Sequence, residues 1–264
     1  MTGSLGDAGP ASGATERAVA AFGSTMRGLF GSLPDGEWHE ERDLVRYATG
    51  LGAARLNGIW VVGPGASEES AASWLTELER RGLPRCVIAR PRAPGWTTDL
   101  AARHLLTRVE HEPFMLHTDP GAVVVPDTPV TTRVAPDDDE AVRLARQVFV
   151  EGFEGPDELI GWMMSPPVLS VPGNAAWLGR VEGVACTVGF GSVVGDHVGV
   201  FNIATPPAHR RRGHGNAVTA RVVAEGFAVG ARTAYLQASE LGYPVYERMG
   251  FRTVETWPSH YPPQ

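Results

Sequence analysis

Lysine is absent. All 23 basic residues are arginine, so neither a Schiff base nor a lysine nucleophile is available to any chemistry the chain performs. Cysteine is scarce as well: Cys86 and Cys186 stand far apart, and each lies in an apolar run (CVIA, VACTV) that reads as core. Neither sits in a metal-binding pair, and no metal site is expected. No apolar run approaches the roughly 20 residues that span a bilayer, so no membrane partner is expected either. Met1–Ala14 is small, polar and glycine-rich, without the basic head and apolar stretch of a secretory leader. Together with the scarce thiols, this points to a cytoplasmic protein. Basic charge is in deficit, 23 Lys+Arg against 30 Asp+Glu, a net −7. That speaks against nucleic acid, whose phosphates need a basic face, and favours cationic partners such as amines.

What is present falls into two patterned halves. Pro120, Gly121 and Pro126 in HTDPGAVVVPDTP interrupt the pattern between them, as a linker does. The chain thus divides into a tail over 1–13, an α/β domain over 14–120, a linker over 121–129 and a second domain over 130–264. In the first half the pattern predicts a helix over Thr15–Phe30, then strands over Trp38–Ala48 and Leu56–Val62. An amphipathic helix follows over Ser67–Arg81, with Ser67 as N-cap and Glu68 and Glu69 in the first turn. A strand over Arg85–Ala89, a helix over Thr97–Val109 and a strand over Pro113–His117 complete this half. In the second, a strand over Val130–Val134 leads to helices over Asp137–Phe149 and Pro156–Met164. Three strands in meander follow, Ala175–Val181, Val184–Val193 and His197–Thr205, joined at Glu182-Gly183 and Gly195-Asp196. Then come a helix over Asn216–Phe227, a strand over Thr233–Gln237, a helix over Tyr243–Met249 and a strand over Phe251–Trp257. The fold class is α/β (α+β), a mixed central sheet flanked by helices.

The most informative segment joins the third meander strand to the next helix. The strand ends at Thr205-Pro206-Pro207, and Arg210-Arg211-Arg212-Gly213-His214-Gly215 opens the helix. Glycines let the backbone come close to a ligand. A helix N-terminus presents unpaired amides to anions, and guanidinium groups add charge-assisted bonds. This combination suits a pyrophosphate.

These residues resemble the signature of the GNAT acyltransferase superfamily, R/Q-x-x-G-x-G/A after the fourth strand. Arg210, Gly213 and Gly215 occupy its three defining positions, and YPVYERMGF, Tyr243–Phe251, resembles the family's closing Y-E-x-x-G-F element. The resemblance covers Val130–Trp257. It implies the acyl-CoA N-acyltransferase fold, acetyl-CoA as cosubstrate and an amine as acceptor, in a monomer or homodimer. It implies that Asn202, Ile203, Ala204 and Thr205 line the acyl and pantetheine arm. Arg210, Arg211, Arg212, Gly213, His214, Gly215 and Asn216 would then hold the diphosphate. The amine would attack the thioester directly, a strand N–H would hold the oxyanion, and Tyr246 would protonate the leaving thiolate, with Tyr243 one turn earlier on a similar face. Where the family often carries an asparagine that contacts the cofactor, this chain has Ser239.

The general base has several candidates: Glu151 and Glu154 in VEGFEGP, and Asp196 and His197 at the start of the fourth strand. Phe149, Phe153, Trp162 and Met163 are the expected wall of the acceptor pocket. The first half repeats the rhythm of strand, glycine turn (Gly63–Gly65) and helix without the R-x-x-G-x-G motif. It resembles a degenerate GNAT domain in tandem, or else is an unrelated accessory domain. In either case it is expected to bind no CoA and to shape the acceptor cleft. Two functions follow: an N-acetyltransferase for a small-molecule amine or protein N-terminus, or a non-catalytic acyl-CoA sensor.

Overall fold

Alanine-rich sequence builds the first helix, α1 (Pro10–Phe30), in the computed structural model, which describes residues 10–263. Residues 10–13 therefore belong to a helix, and the rest of the expected tail, 1–9, lies outside the described residues. The single strand expected over Trp38–Ala48 is a hairpin of β1 (Glu37–Glu41) and β2 (Leu44–Ala48). Asp43 makes the turn with φ 58, a conformation Asp tolerates better than most side chains. Next come β3 (Gly58–Val61), α2 (Glu68–Arg80), β4 (Cys86–Ala89) and α3 (Trp96–Arg103). The last helix stops short of Val109: Leu105 takes φ 59, and the chain turns into β5 (Arg108–His117).

The segment 121–129 carries no strand or α-helix. Beyond it lie β6 (Val130–Val134), α4 (Asp139–Phe153) and the short α5 (Asp157–Ile160) and α6 (Pro166–Leu169). The meander forms as expected, β7 (Asn174–Val181), β8 (Val184–Val194) and β9 (His197–Ala204). Then α7 (His214–Ala228), β10 (Thr233–Gln237), α8 (Tyr243–Arg248) and β11 (Arg252–Tyr261) close the chain.

All eleven strands join one sheet in the order β1-β2-β3-β4-β11-β5-β10-β9-β8-β7-β6. The two halves repeat one pairing scheme. In the first, β2–β3 is antiparallel, β3–β4 parallel and β4–β11 antiparallel. In the second, β8–β9 is antiparallel, β9–β10 parallel and β10–β5 antiparallel. Each half thus lends its last strand to the other, and the two lent strands pair with each other from Arg252↔Leu116 to Tyr261↔Arg108. The linker separates the halves in sequence but not in space.

Period-two alternation sends neighbouring side chains to opposite faces of this sheet. Ile59, Val61, Val87 and Ala89 pack with α2 and α3, whereas Trp60, Cys86 and Ile88 join the core shared by α1 and α4. Likewise Ala234 and Leu236 pack with α7 and Tyr235 faces the α1 core. Phe22 of α1 sits where the halves meet. Its ring lies edge-on to Trp60 of β3 and Trp257 of β11, each at 5.4 Å, and to Phe114 of β5 at 6.1 Å. Truncating such a ring costs about 3–5 kcal/mol. Nearby, buried Arg90 donates two bonds each to Glu16 of α1 (3.0 and 2.8 Å) and Glu255 of β11 (3.0 and 2.6 Å).

Candidate active site

The parallel pair β9–β10 is joined only at Thr233↔His197, Ala234↔Val198 and Tyr235↔Gly199. Past Gly199 the two strands part. The cause is local: Asn202 takes φ 53, and the β8–β9 register slips there, so that a bulge turns β9 away. A side chain at Gly199 would meet the Tyr235 hydroxyl at 2.6 Å, so glycine is needed where the strands are closest. The opening widens into a cleft of about 1490 Å³. Ordinary small-molecule sites measure roughly 300–1,000 Å³, so this one has room for two substrates.

At one end the cleft meets the N-terminus of α7. Pro206 and Pro207 end β9, since neither supplies a ladder N–H. The chain then passes Arg211 (φ 63) to Gly213 (φ 81). A Cβ on Gly213 would find only open space, so its backbone conformation alone selects glycine there. No side chain caps α7, which leaves its first-turn amides, reinforced by a 15-residue helix, to an outside acceptor. Buried His214 Nδ1 likewise has no hydrogen-bond partner. Burial, then His209 and Arg212, hold this imidazole's pKa below its usual value. Uncapped first-turn amides beside two glycines and the Arg211 side chain fit a diphosphate.

The expected cofactor residues mostly converge here. Asn202, Ile203, Thr205, Arg210, Arg211, Gly213, His214, Gly215, Asn216 and Ser239 line the cleft; Ala204 and Arg212 do not. Ala204 is buried, its carbonyl accepting from Thr187 Oγ1 at 2.9 Å. Arg210 already has protein partners, donating to Thr205 O (3.1 Å), Gly152 O (2.8 Å) and Glu154 Oε2 (2.8 Å). It fastens the loop to the end of α4. Ser239 Oγ accepts from Gly242 N at 3.2 Å and so caps the turn into α8.

Tyr246 also lines the cleft, half-buried, its ring 6.0 Å from Phe251. Burial pushes its phenol up to about 12, which keeps the proton on. Tyr243 lies outside the cleft lining and its hydroxyl meets Thr253 Oγ1 at 3.4 Å. Among the base candidates, Glu151 is exposed, outside the lining, and accepts from Gln147. Glu154 lines the cleft but is bound to Arg210. Asp196 and His197 pair at 2.8 Å at the far end of β9, away from the opening. Of the residues expected to wall an acceptor pocket, Phe153, Trp162 and Met163 line the cleft, whereas Phe149 is core.

At the other end the first half shapes the cleft, with residues that the sequence did not single out: Phe22, Phe30, Trp38, Tyr47 and Trp60 with Arg55 and Glu112. Only the exchange of β5 and β11 brings these residues alongside β10.

Residues 135–251 match the model of the Acetyltransferase (GNAT) family. The chain therefore carries a GNAT-family acetyltransferase domain, in the half where the opening, the glycine loop and Tyr246 lie. A GCN5-related N-acetyltransferase from Kribbella flavida is similar in structure, with TM-score 0.67 and 19% identity over 93% of this chain and 95% of that one. A GCN5-related N-acetyltransferase from Sphaerobacter thermophilus gives 0.57 and 16% over 83% and 79%. A putative acetyltransferase of the GNAT family from Novosphingobium aromaticivorans gives 0.51 and 18% over 84% and 88%. At these identities the likeness concerns the fold, and in the Kribbella protein it extends across both halves. No curated protein matches the chain. Among the described residues no helix is long and apolar enough to cross a membrane, and no cluster of His, Cys, Asp and Glu is set to hold a metal ion.

Proposed function

We propose that this protein is an acetyl-CoA-dependent N-acetyltransferase that transfers the acetyl group directly to an amine. The observation that carries this reading is the parted β9–β10 pair. It leads from an uncapped helix N-terminus, suited to a diphosphate, to a protonated tyrosine that also lines the cleft. Asn202–Thr205 flank the thioester arm, and a peptide N–H freed by the bulge is available to the oxyanion. The neutral amine forms its bond to the carbonyl carbon, the C–S bond breaks, and the Tyr246 phenol hands its proton to the departing sulfur. The proton released by the new amide's nitrogen returns the phenol to its acid form through water.

The first half binds no CoA in this reading. Its central strands β3 and β4 stay paired along their whole length, Gly58↔Cys86 to Val61↔Ala89, so no opening exists. The following helix α2 is already capped by Ser67, whose Oγ accepts from Ser70 N at 3.2 Å. Glu68 and Glu69 in its first turn would repel a phosphate. With the same pairing scheme and a closed cleft, this half is a degenerate copy whose task is to wall the acceptor site.

The test is to incubate the pure protein with acetyl-CoA and a panel of amines and to follow thiol release. Turnover with an amine supports transfer. Tight acetyl-CoA binding with no turnover across the panel would instead make the protein an acyl-CoA sensor.

A further inference from the structure

The acceptor end of the cleft has a chemistry of its own. Its walls are aromatic: Phe30 lies 5.4 Å from Tyr47 and 5.8 Å from Trp38, and Trp38 stacks on Tyr47 at 5.9 Å. Trp162 closes the far side, 6.5 Å from Phe30. Between this chamber and the opening lies one polar knot. Arg55 is ion-paired to Glu112 and donates to Tyr261 Oη at 2.7 Å and to Gln237 Oε1 at 2.9 Å. Ser259 Oγ donates to Glu112 at 3.0 Å, and Gln237 Nε2 stands 3.4 Å from the same carboxylate. Gln237 ends β10 just beyond the last β9–β10 pair, and Leu56, next to Arg55, belongs to the chamber lining.

We propose that the acceptor is a primary amine on an aromatic or branched apolar body, the body in the aromatic chamber and the nitrogen at Glu112. This inference rests on the acetyltransferase reading and narrows it. The walls favour an apolar or aromatic body, by burial and by attraction of a nearby cation to ring faces. The nitrogen must reach the thioester at the opening, so it passes the knot, where an ammonium finds a carboxylate, and it attacks as the neutral amine once its extra proton has passed to water. A long acyl chain on the donor would also fill the chamber. To enter, its methylenes would have to lie against Arg55 and Glu112 and shield those charges from water without replacing any bond. The knot therefore favours the amine over the acyl tail.

The experiment compares 2-phenylethylamine, glycine and spermidine with acetyl-CoA, and glycine with octanoyl-CoA, by thiol release. The expected result is a kcat/KM at least about ten-fold higher for 2-phenylethylamine than for the other pairs. In Trp38→Ala, at a half-buried edge-strand position, the amine KM should rise about ten-fold while KM for acetyl-CoA stays. Trp162→Leu serves as an independent second variant with the same expectation. Preference for glycine or spermidine overturns the proposal, as does preference for octanoyl-CoA. Should no pair turn over, the acetyltransferase reading fails, and 2-phenylethylamine is titrated calorimetrically into CoA-saturated protein. Binding weakened by Trp38→Ala upholds the chamber assignment; no binding overturns it.

Discussion

Replacing Tyr246 by phenylalanine separates the phenol from its ring. The ring's contact with Phe251 survives, and the hydroxyl forms no hydrogen bond within the described residues, so no internal partner is orphaned. Stability near neutral pH should change by less than about 1 kcal/mol. The functional loss should be far larger. A positioned general acid contributes about 10²–10⁴-fold, so kcat should fall by about 10²-fold or more while acetyl-CoA affinity stays. With its pKa pushed up to about 12, the phenol keeps its proton throughout ordinary assay conditions. The wild type should therefore show no alkaline fall in kcat from this group below pH 10. Burial raises the folded-state pKa above that of the unfolded chain. Stability tied to the neutral phenol is thus full below pH 10 and lost as pH rises toward 12; Tyr246→Phe should resist alkaline unfolding better. Steady-state thiol release and a pH series of melts check both. If Tyr246→Phe keeps full kcat while Tyr243→Phe loses it, the assignment of the acid is wrong.

Three further outcomes are expected. Acetyl-CoA at a hundred times its Kd should stabilise the fold by about 2.7 kcal/mol. Gly213→Asp, which sets a carboxylate beside the α7 amides, should remove that melting shift, and a folded variant with unchanged affinity would move the diphosphate elsewhere. Calorimetry should find one CoA per chain, and Ser67→Ala should cost about 1 kcal/mol of stability without altering CoA affinity; a second site would mean that the first half also binds. Arg90→Ala, which leaves the part-buried Glu255 with Trp257 Nε1 alone as partner, should destabilise by about 3 kcal/mol in urea melts, with acetyl-CoA affinity little changed.

The second half was legible because its chemistry is local. Gly213 and Gly215 mark the helix entry, and Tyr246 falls on the helix that Pro244 opens and Gly250 ends. Turns made by residues other than glycine were harder to read. Asp43 splits β1 from β2 and Leu105 ends α3, each with positive φ and no glycine to announce it. Of the acceptor end, the part the first half was expected to shape and Phe153, Trp162 and Met163 were legible, whereas Arg55 and Glu112 were not. Glu112 sits in EHEPF, a strand whose alternation reads equally as solvent-facing, and Arg55 is the middle residue of a short 3₁₀ turn, Ala54–Leu56. Glu112 and Arg55 acquire meaning only through pairings between residues remote in sequence, and no local pattern records those.

The lent strands also bear on how the protein is made. During synthesis the first half emerges early, yet Val87 and Ile88 of β4 must wait for His260 and Ser259 at the other end of the chain. Until then β4 presents an open apolar edge, the kind of surface that recruits foreign strands. Meanwhile β5 is complete but has no place to dock until β10 exists. Neither half should survive as a separate fragment, and a chain cut at the linker should regain its fold only when both pieces are present together. Loss of Ser259 and the residues after it would unseat the first half, although the glycine loop lies far upstream of the cut.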